Sequence, residues 1–206
     1  NASWHKGETL LAGIGQGYLL ATPMQLAVMA ARLANGGYSV SPRLAQTYSN
    51  SDLGASDYEQ TNNSFSEIKT FPGKSLGITR SHLELVREAM EGVTINPLGT
   101  AFKTRIRKLG RQMGGKTGTV QVRRISTLER EQGVKKNKDL PWRERDHAAF
   151  VGFAPIHSPR YAVSVIVEHG GVSSVASSIA RDVLLEAQGR KSANPGVPPN
   201  SISEPL

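Results

Sequence analysis

The chain has 206 residues, enough for one domain with a core of its own, and 38% of them are apolar. Its mean hydropathy of −0.33 excludes a protein that lies mostly within a membrane. The net charge of +8 predicts an acidic partner, which could be nucleic acid, an anionic membrane surface or a carboxylate-bearing substrate. The absence of cysteine excludes disulfides, but it does not distinguish between cellular compartments.

The first clear element is an apolar helix over residues 22–35. Thr22 and Gln25 have the spacing of a capping box, and Pro23 lies at the first helical position. Because apolar side chains cover nearly its whole circumference, we expect this helix in the middle of a core. The glycine-rich residues 7–21 lack the spacing of a dinucleotide-binding loop, and we interpret them as a lead-in to the helix.

Weaker patterns separate this helix from the next one. Residues 38–48 favour a strand that Pro42 interrupts, and the polar residues 49–75 favour an exposed loop or weak hairpin. A second helix is predicted from the capping box at residues 81–84 to Gly92. Its apolar face consists of Leu83, Val86 and Met90.

The second half of the chain predicts a sheet with a helix packed on it. A turn at residues 96–99 and a basic stretch at 100–111 come first. The predicted strands are 114–122, 147–154 and 161–167, and a helix over 175–188 follows, with Val175, Ile179 and Val183 on one stripe. Between the first two strands, residues 125–145 are charged, which favours a mobile surface loop over a ligand contact. This order predicts an α+β fold with packed helices on an antiparallel sheet.

The strand with the sequence GGKTGTVQV contains the residues that we single out for function. Thr117 and Thr119 are two positions apart, so both side chains point to the same face of a strand. Gly118 between them would let a substrate lie close to the backbone, and Lys116 adds a positive charge. We interpret residues 116–119 as a strand edge that binds an anionic, peptide-like ligand.

The same stretch has two other interpretations. Residues 110–117 fit the phosphate-binding pattern G-x-x-x-x-G-K-[ST], which requires an apolar strand before it and a helix after it. Here a basic stretch comes before the pattern and strand-forming residues follow it, so the context argues against a nucleotide loop. A glycine-rich start of a structural strand with a surface lysine stays as the plainer alternative.

Other candidate chemistry is weak. The S-x-x-K pattern of a lysine-activated serine occurs at residues 3–6 and 66–69, but neither match opens a buried helix, so we interpret both as chance. The S-x-N-like matches at residues 48–50 and 192–194 are treated in the same way. His147 is interpreted as structural, and the histidines lack metal-ligand spacing, so neither a metal nor another cofactor is expected. The basic patches lack interleaved aromatics, which argues against nucleic acid.

Four segments together carry a resemblance to a known family. They are GIGQGYLLATPMQLAVMAARLANGG, NPLGTAFKTRI, GGKTGTVQV and RERDHAAFVGFAPIHSPRYAVSVIVEHGG. Their order and spacing resemble the C-terminal half of the transpeptidase domain of class B penicillin-binding proteins, especially those of cell elongation. The resemblance covers residues 4–190, and the combination is far more specific than the Lys-Thr-Gly motif alone.

The resemblance implies a serine acyltransferase that cross-links peptidoglycan stem peptides and is trapped by β-lactams. It implies that Lys116 supplies positive potential and that Thr117 and Thr119 bind the terminal carboxylate of the substrate. The backbone N–H of Thr119 would be one oxyanion donor. Removing one such donor typically lowers the reaction rate by a factor of about 10²–10³. A D,D-carboxypeptidase and a β-lactam sensor remain alternatives, and a non-catalytic basic module that binds membrane or nucleic acid is the alternative of another class.

The resemblance also implies what these residues lack. In the family, the S-x-x-K and S-x-N elements precede the segment at residues 16–18, so we expect no nucleophile here and no activity from this chain alone. We assign residues 1–190 to the C-terminal portion of a transpeptidase domain and residues 191–206 to a disordered tail. The expected partners are stem peptides, β-lactams, the N-terminal half of the same protein and an elongation glycosyltransferase, on the periplasmic side of the inner membrane.

Overall fold

The computed structural model describes residues 4–17, 20–42 and 73–190. The helices and strands are α1 (Lys6–Gly13), α2 (Pro23–Ala34), α3 (Arg80–Ile95), β1 (Gly114–Val120), α4 (Thr127–Gln132), β2 (His147–Ala154), β3 (Tyr161–Val167) and α5 (Ser173–Gly189). Short 3-10 helices cover Phe102–Thr104, Asn137–Asp139 and Trp142–Glu144. The three strands form an antiparallel sheet in the order β1-β2-β3, which confirms the predicted α+β fold.

The two faces of the sheet pack on different helices. Thr117 of β1 lies opposite Phe150 of β2, and this face packs on α5. Lys116 lies opposite Val151, on the face that packs on α2 and α3. Within the described residues β1 is an edge strand, so its residues 116–119 lie along an open border between the two faces.

The larger core lies between the sheet and α5. Phe150 is fully buried there against Ala176, Ala180 and Leu184, whose small or flexible side chains let the helix lie close to the strands. The stripe of Val175, Ile179 and Val183 lies instead on the outer side of α5, where these side chains are 38–50% exposed. The three residues of the stripe therefore share one side of the helix, as predicted, but the smaller residues beside them form the face that packs on the sheet.

Helix α2 begins as predicted but is less buried than predicted. The Thr22 hydroxyl accepts the Gln25 N–H at 3.2 Å, and the Gln25 side chain accepts the Thr22 N–H at 2.8 Å, which confirms the capping box. Only Ala30 and Ala34 are buried, whereas other apolar positions such as Met24 are exposed. The expected all-round burial is wrong for the described residues, because α2 packs on the sheet and α3 along one side only.

Both predicted ends of α3 are wrong. The helix begins at Arg80 with Thr79 as its N-cap, so Ser81 lies inside the helix and makes no capping box. It also continues through Gly92 to Ile95, since a helix tolerates an interior glycine at a modest cost. The predicted turn at residues 96–99 follows at once.

The N-terminal and linking segments also differ from expectation. Residues 7–21 were expected as a lead-in, but α1 forms there on the capping box of His5 and Glu8, with none of its residues buried. In the segment 38–48, Tyr38 makes an isolated bridge to Ser75, and residues 43–48 lie outside the described residues. The same holds for the predicted loop up to residue 72 and for the predicted tail at 191–206.

The charged insert is structured rather than a plain loop. It forms α4 and two 3-10 helices, and Arg123 makes a two-pronged ion pair with Glu129 at 2.5 and 2.6 Å. The Arg123 guanidinium lowers the pKa of Glu129 to about 2, and the Lys135 N–H bond to the same carboxylate adds to this shift. The first strand is correspondingly shorter than predicted, because it ends at Val120 and not at Val122.

Candidate active site

Two glycines set how β1 starts. A Cβ on Gly115 would overlap the Phe150 ring and come within 2.6 Å of the Val151 carbonyl oxygen. A Cβ on Gly114 would come within 3.3 Å of the Phe153 ring. The glycine pair therefore lets β1 pack tightly over both aromatic rings, and this fixes the strand just before Lys116.

Lys116 is exposed on the α2 and α3 face of the sheet. Its Nζ donates to the backbone carbonyl of the next residue, Thr117, at 2.7 Å. The ammonium group therefore stays beside the strand backbone instead of extending into solvent. A positive charge in this place raises the electrostatic potential along the edge of β1.

Thr117 and Thr119 point to the same face, as predicted, but they differ in exposure. Thr119 is exposed, whereas Thr117 is only 8% exposed. The Thr117 hydroxyl lies 2.8 Å from the hydroxyl of Thr100. The accessible hydroxyl of this edge is therefore that of Thr119, and that of Thr117 already has a partner.

Gly118 is half-buried between the two threonines. A Cβ at this position would lie 3.2 Å from the Cβ of Ala149 on β2, which is tighter than an ordinary contact. Glycine thus keeps β1 close to β2 here, and it leaves the backbone of the outer edge without a side chain. The close approach of a ligand to the strand stays a prediction.

Thr100 is the functional candidate that the sequence analysis missed. It follows the turn at 96–99, in which the Asn96 carbonyl accepts the Gly99 N–H at 2.8 Å. The sequence signal was a glycine-terminated turn followed by a hydroxyl residue. This signal could not identify Thr117 as the partner, because the contact depends on how the turn packs against β1.

The phosphate-loop interpretation is inconsistent with the structure. Lys116 and Thr117 lie within β1, and the chain continues as a strand to Val120. A phosphate loop would lead into a helix, whose N-terminal N–H groups bind the phosphate. The backbone around Lys116 therefore does not form a nucleotide-binding loop.

His147 lies at the start of β2, opposite Val120 at the end of β1. Its Nδ1 accepts the backbone N–H of His169 at 2.9 Å. The His169 Nδ1 lies 3.0 Å from the Arg145 carbonyl, which can only accept, so this nitrogen carries a proton. The two histidines thus link the start of β2 to the end of β3, in agreement with the structural role predicted for His147.

Neither S-x-x-K match lies wholly within the described residues. Of the two S-x-x-K matches, the described part is Lys6, which is exposed at the start of α1. The match at 66–69 lies outside the described residues, as do the S-x-N-like matches. No group of His, Asp and Glu suited to bind a metal occurs in residues 4–17, 20–42 and 73–190.

Comparison with known proteins identifies the family. The profile of the penicillin binding protein transpeptidase domain matches residues 1–185. The chain belongs to this family. Peptidoglycan D,D-transpeptidase MrdA of Acinetobacter baumannii is 36% identical over 184 residues, which are 89% of this chain and 25% of the relative. The chain thus spans about a quarter of the length of that curated relative.

Solved structures of penicillin-binding protein 2 (PBP2) are similar to this fold. Pseudomonas aeruginosa PBP2 in complex with WCK 5153 is 33% identical with a TM-score of 0.63, over 96% of this chain and 37% of that one. PBP2 of Helicobacter pylori in complex with MreC is 25% identical with a TM-score of 0.64, over 90% of this chain and 29% of that one.

These similarities confirm the resemblance to PBP2 and the transpeptidase fold that it implied. In the part of the chain that the structure describes, no helix has the length and apolar character needed to cross a membrane.

Proposed function

We propose that this chain forms one side of the active site of a peptidoglycan D,D-transpeptidase. The observation that carries the proposal is the edge of β1: on the open border of the sheet, the exposed cation of Lys116 and the exposed hydroxyl of Thr119 lie on either side of the Thr117–Gly118 pair. In a member of the penicillin-binding transpeptidase family, such an edge suits the carboxylate end of a D-Ala-D-Ala stem peptide.

Each residue of this edge has a chemical role in the proposal. Lys116 supplies positive potential, and the hydroxyls of Thr117 and Thr119 bind the terminal carboxylate through charge-assisted hydrogen bonds. The backbone N–H of Thr119 donates to the oxyanion that forms when the carbonyl is attacked. Gly118 lets the substrate backbone lie along the strand. β-Lactams bind the same edge because they imitate the acyl-D-Ala-D-Ala group.

The nucleophilic serine and its lysine lie in a segment that these 206 residues do not include. In the proposed reaction the serine hydroxyl attacks the penultimate D-Ala carbonyl, the terminal D-Ala leaves, and an acyl-enzyme remains. An amine of a second stem peptide then displaces the serine and forms the cross-link. These residues contribute substrate binding and one oxyanion donor, so the chain alone should not react with penicillin.

The test is the rate of labelling by fluorescent penicillin in the complete transpeptidase that contains these residues. Lys116→Ala should slow acylation by about two orders of magnitude, the scale of a lost electrostatic contact in an active site. Because Lys116 is exposed, the melting temperature should stay unchanged.

Lys103→Ala is the matched control, since it removes an exposed lysine from the basic stretch outside β1. This variant should be labelled at the rate of the wild type. Labelling of the folded Lys116→Ala protein at the wild-type rate would remove Lys116 from the site. Covalent labelling of a serine within these 206 residues would refute the proposed location of the nucleophile.

Two related functions use the same edge. In a D,D-carboxypeptidase water resolves the acyl-enzyme, and in a β-lactam sensor the acyl-enzyme persists. The residues of β1 do not distinguish these outcomes from transfer to an amine. Product analysis with a stem peptide and an amine acceptor separates them, and we expect the cross-linked dimer.

The proposed cellular location and partners are based on the relatives of the chain. PBP2 of Helicobacter pylori has been solved in complex with MreC, which supports a place in a multiprotein assembly. We propose that this assembly serves cell elongation on the periplasmic side of the inner membrane. The other proposed partners are the N-terminal half of the transpeptidase domain and a glycosyltransferase. We propose no nucleic-acid partner, since the basic stretch lacks an aromatic platform.

A further inference from the structure

The Thr100–Thr117 contact joins a turn to the proposed substrate-binding strand. The two Oγ1 atoms are 2.8 Å apart, which is a normal distance for a hydrogen bond between hydroxyls. Thr117 is 8% exposed and Thr100 is exposed. None of the roles proposed above uses Thr100.

The backbone of Thr100 is fixed by the turn that precedes it. The Asn96 side chain accepts the Leu98 N–H at 2.9 Å, and the Val93 carbonyl accepts the Ala101 N–H at 3.1 Å. A Cβ on Gly99 would overlap the carbonyl oxygens of the last turn of α3, so only glycine fits there. Thr100 therefore has a set position relative to α3.

Helix α3 is in turn tied to the start of β1. The Thr94 hydroxyl, which is fully buried, donates to the Met113 carbonyl at 2.5 Å. Because α3, the turn and β1 are linked in this way, the distance between the hydroxyls of Thr100 and Thr117 is set by the fold. It does not depend on a chance meeting of two surface side chains.

The direction of the hydrogen bond between Thr100 and Thr117 decides whether the Thr117 hydroxyl can donate to a bound anion. A hydroxyl has one proton and two lone pairs. If Thr117 donates its proton to Thr100, no proton is left for a carboxylate. If Thr100 donates to Thr117, the Thr117 proton is free to point at an anion, and the two bonds polarise and strengthen each other.

We propose that Thr100 is a positioning residue for carboxylate recognition, which it serves by donating its hydroxyl proton to Thr117 when an anionic ligand is bound. The inference rests on the proposed function, in which Thr117 binds the carboxylate of the substrate. It adds that the anion is bound by a chain of two hydroxyls, Thr100 to Thr117 to carboxylate.

The test compares two probes in the complete transpeptidase: benzylpenicillin, which has a free carboxylate, and its methyl ester, which has no negative charge. Thr100→Val removes the hydroxyl but keeps the shape of the side chain. It should slow acylation by benzylpenicillin roughly tenfold, because a hydrogen bond to a charged group is weakened. Acylation by the ester should change much less. Thr100→Ser should restore the wild-type ratio of the two rates.

Thr104→Val is the matched control. Thr104 follows the same turn, and its hydroxyl lies 2.7 Å from that of Ser177 in a buried pair away from β1. Its loss should lower the melting temperature without changing the ratio of the two acylation rates. A ratio that changes in Thr100→Val but not in Thr104→Val cannot come from a general loss of stability.

The outcomes separate the inference from the function on which it rests. If the wild type is not acylated at all, the proposed function fails. If the wild type is acylated and Thr100→Val slows both probes equally, or neither, the inference is overturned and Thr100 is only part of the turn. If the valine variant does not fold, Thr100→Ala gives the same comparison, since removing atoms from an exposed position causes no overlap.

Discussion

The two ends of β1 are stabilised by different kinds of contact. The first end is held by close contacts of buried residues: Gly115 lies on the Phe150 ring, and the buried Thr117 bonds to the exposed Thr100. The second end leads into the charged insert, where the Arg123–Glu129 ion pair and the Asp146–Asn137 hydrogen bonds connect surface segments. Close packing tolerates little change in volume. The Arg123–Glu129 ion pair, whose side chains are 21% and 18% exposed, responds instead to pH.

The proposed site is positioned mainly by the packed end of β1. Thr117, which binds the carboxylate in the proposal, and Gly118, along which the substrate backbone lies, are at the packed end of the strand. Thr119 lies at the junction between the packed end and the insert, so its position depends on both. The insert should therefore be able to change its local structure without displacing Lys116 and Thr117.

The largest effect is expected from filling the space at the packed end. Gly115→Ala should lower the free energy of unfolding by about 1–3 kcal/mol, because the new methyl group overlaps the Phe150 ring and the Val151 carbonyl. Urea unfolding of the variant and the wild type measures this difference. The same change should also displace β1 and slow acylation by penicillin.

Gly92→Ala is the matched control for that substitution. Gly92 lies inside α3 with no atom within 4 Å of an added Cβ, so alanine should raise the free energy of unfolding by about 0.5–1 kcal/mol. A lower free energy of unfolding in Gly115→Ala together with a higher one in Gly92→Ala would support the packing described for β1. A Gly115→Ala variant as stable as the wild type would contradict it.

Lowering the pH should have a smaller effect on stability, at the end of β1 that leads into the charged insert. The pKa of Glu129 is lowered from 4.5 to about 2 by Arg123, so the ion pair contributes stability that is present above pH 4.5. That contribution should be lost as the pH falls from about 4.5 to about 2, because the folded carboxylate then becomes protonated. The protection factors of the α4 amides in hydrogen exchange, which correct for the intrinsic pH dependence of the exchange rate, should fall over this range, while those of the β1 amides should not.

Glu129→Gln should remove this pH dependence, and Glu131→Gln, which changes the other acidic residue of α4, should leave it in place. If β1 loses protection together with α4, the two ends of the strand are coupled more strongly than the contacts indicate. The separation between a packed end and an adjustable end would then be wrong.

Strand bounds and the cap of α2 depend on neighbouring residues, so local sequence patterns predicted them. The strands at 147–154 and 161–167 have the bounds that alternation and turns predicted, and Thr22 caps α2 as its spacing required. The motif at 116–119 was placed on a sheet edge for the same reason. These features follow from residues that are close together in the chain.

The errors came where the outcome depends on particular contacts that residue type and charge content do not specify. Gly92 has the residue type of a helix end, but α3 continues past it and the turn at 96–99 ends the helix instead. The insert looked like a loop because the Arg123–Glu129 ion pair cannot be read from charge content alone. Thr100 was missed since its partner lies 17 positions away, across a packing contact that no periodicity encodes.

The central claim is that the edge of β1 binds the carboxylate of the substrate, and its most direct test is a crystal structure of the complete transpeptidase acylated by benzylpenicillin. We expect the penicillin carboxylate within about 3 Å of the hydroxyl oxygens of Thr117 and Thr119, with Thr100 still bonded to Thr117. An acylated enzyme in which that carboxylate contacts neither threonine would contradict it.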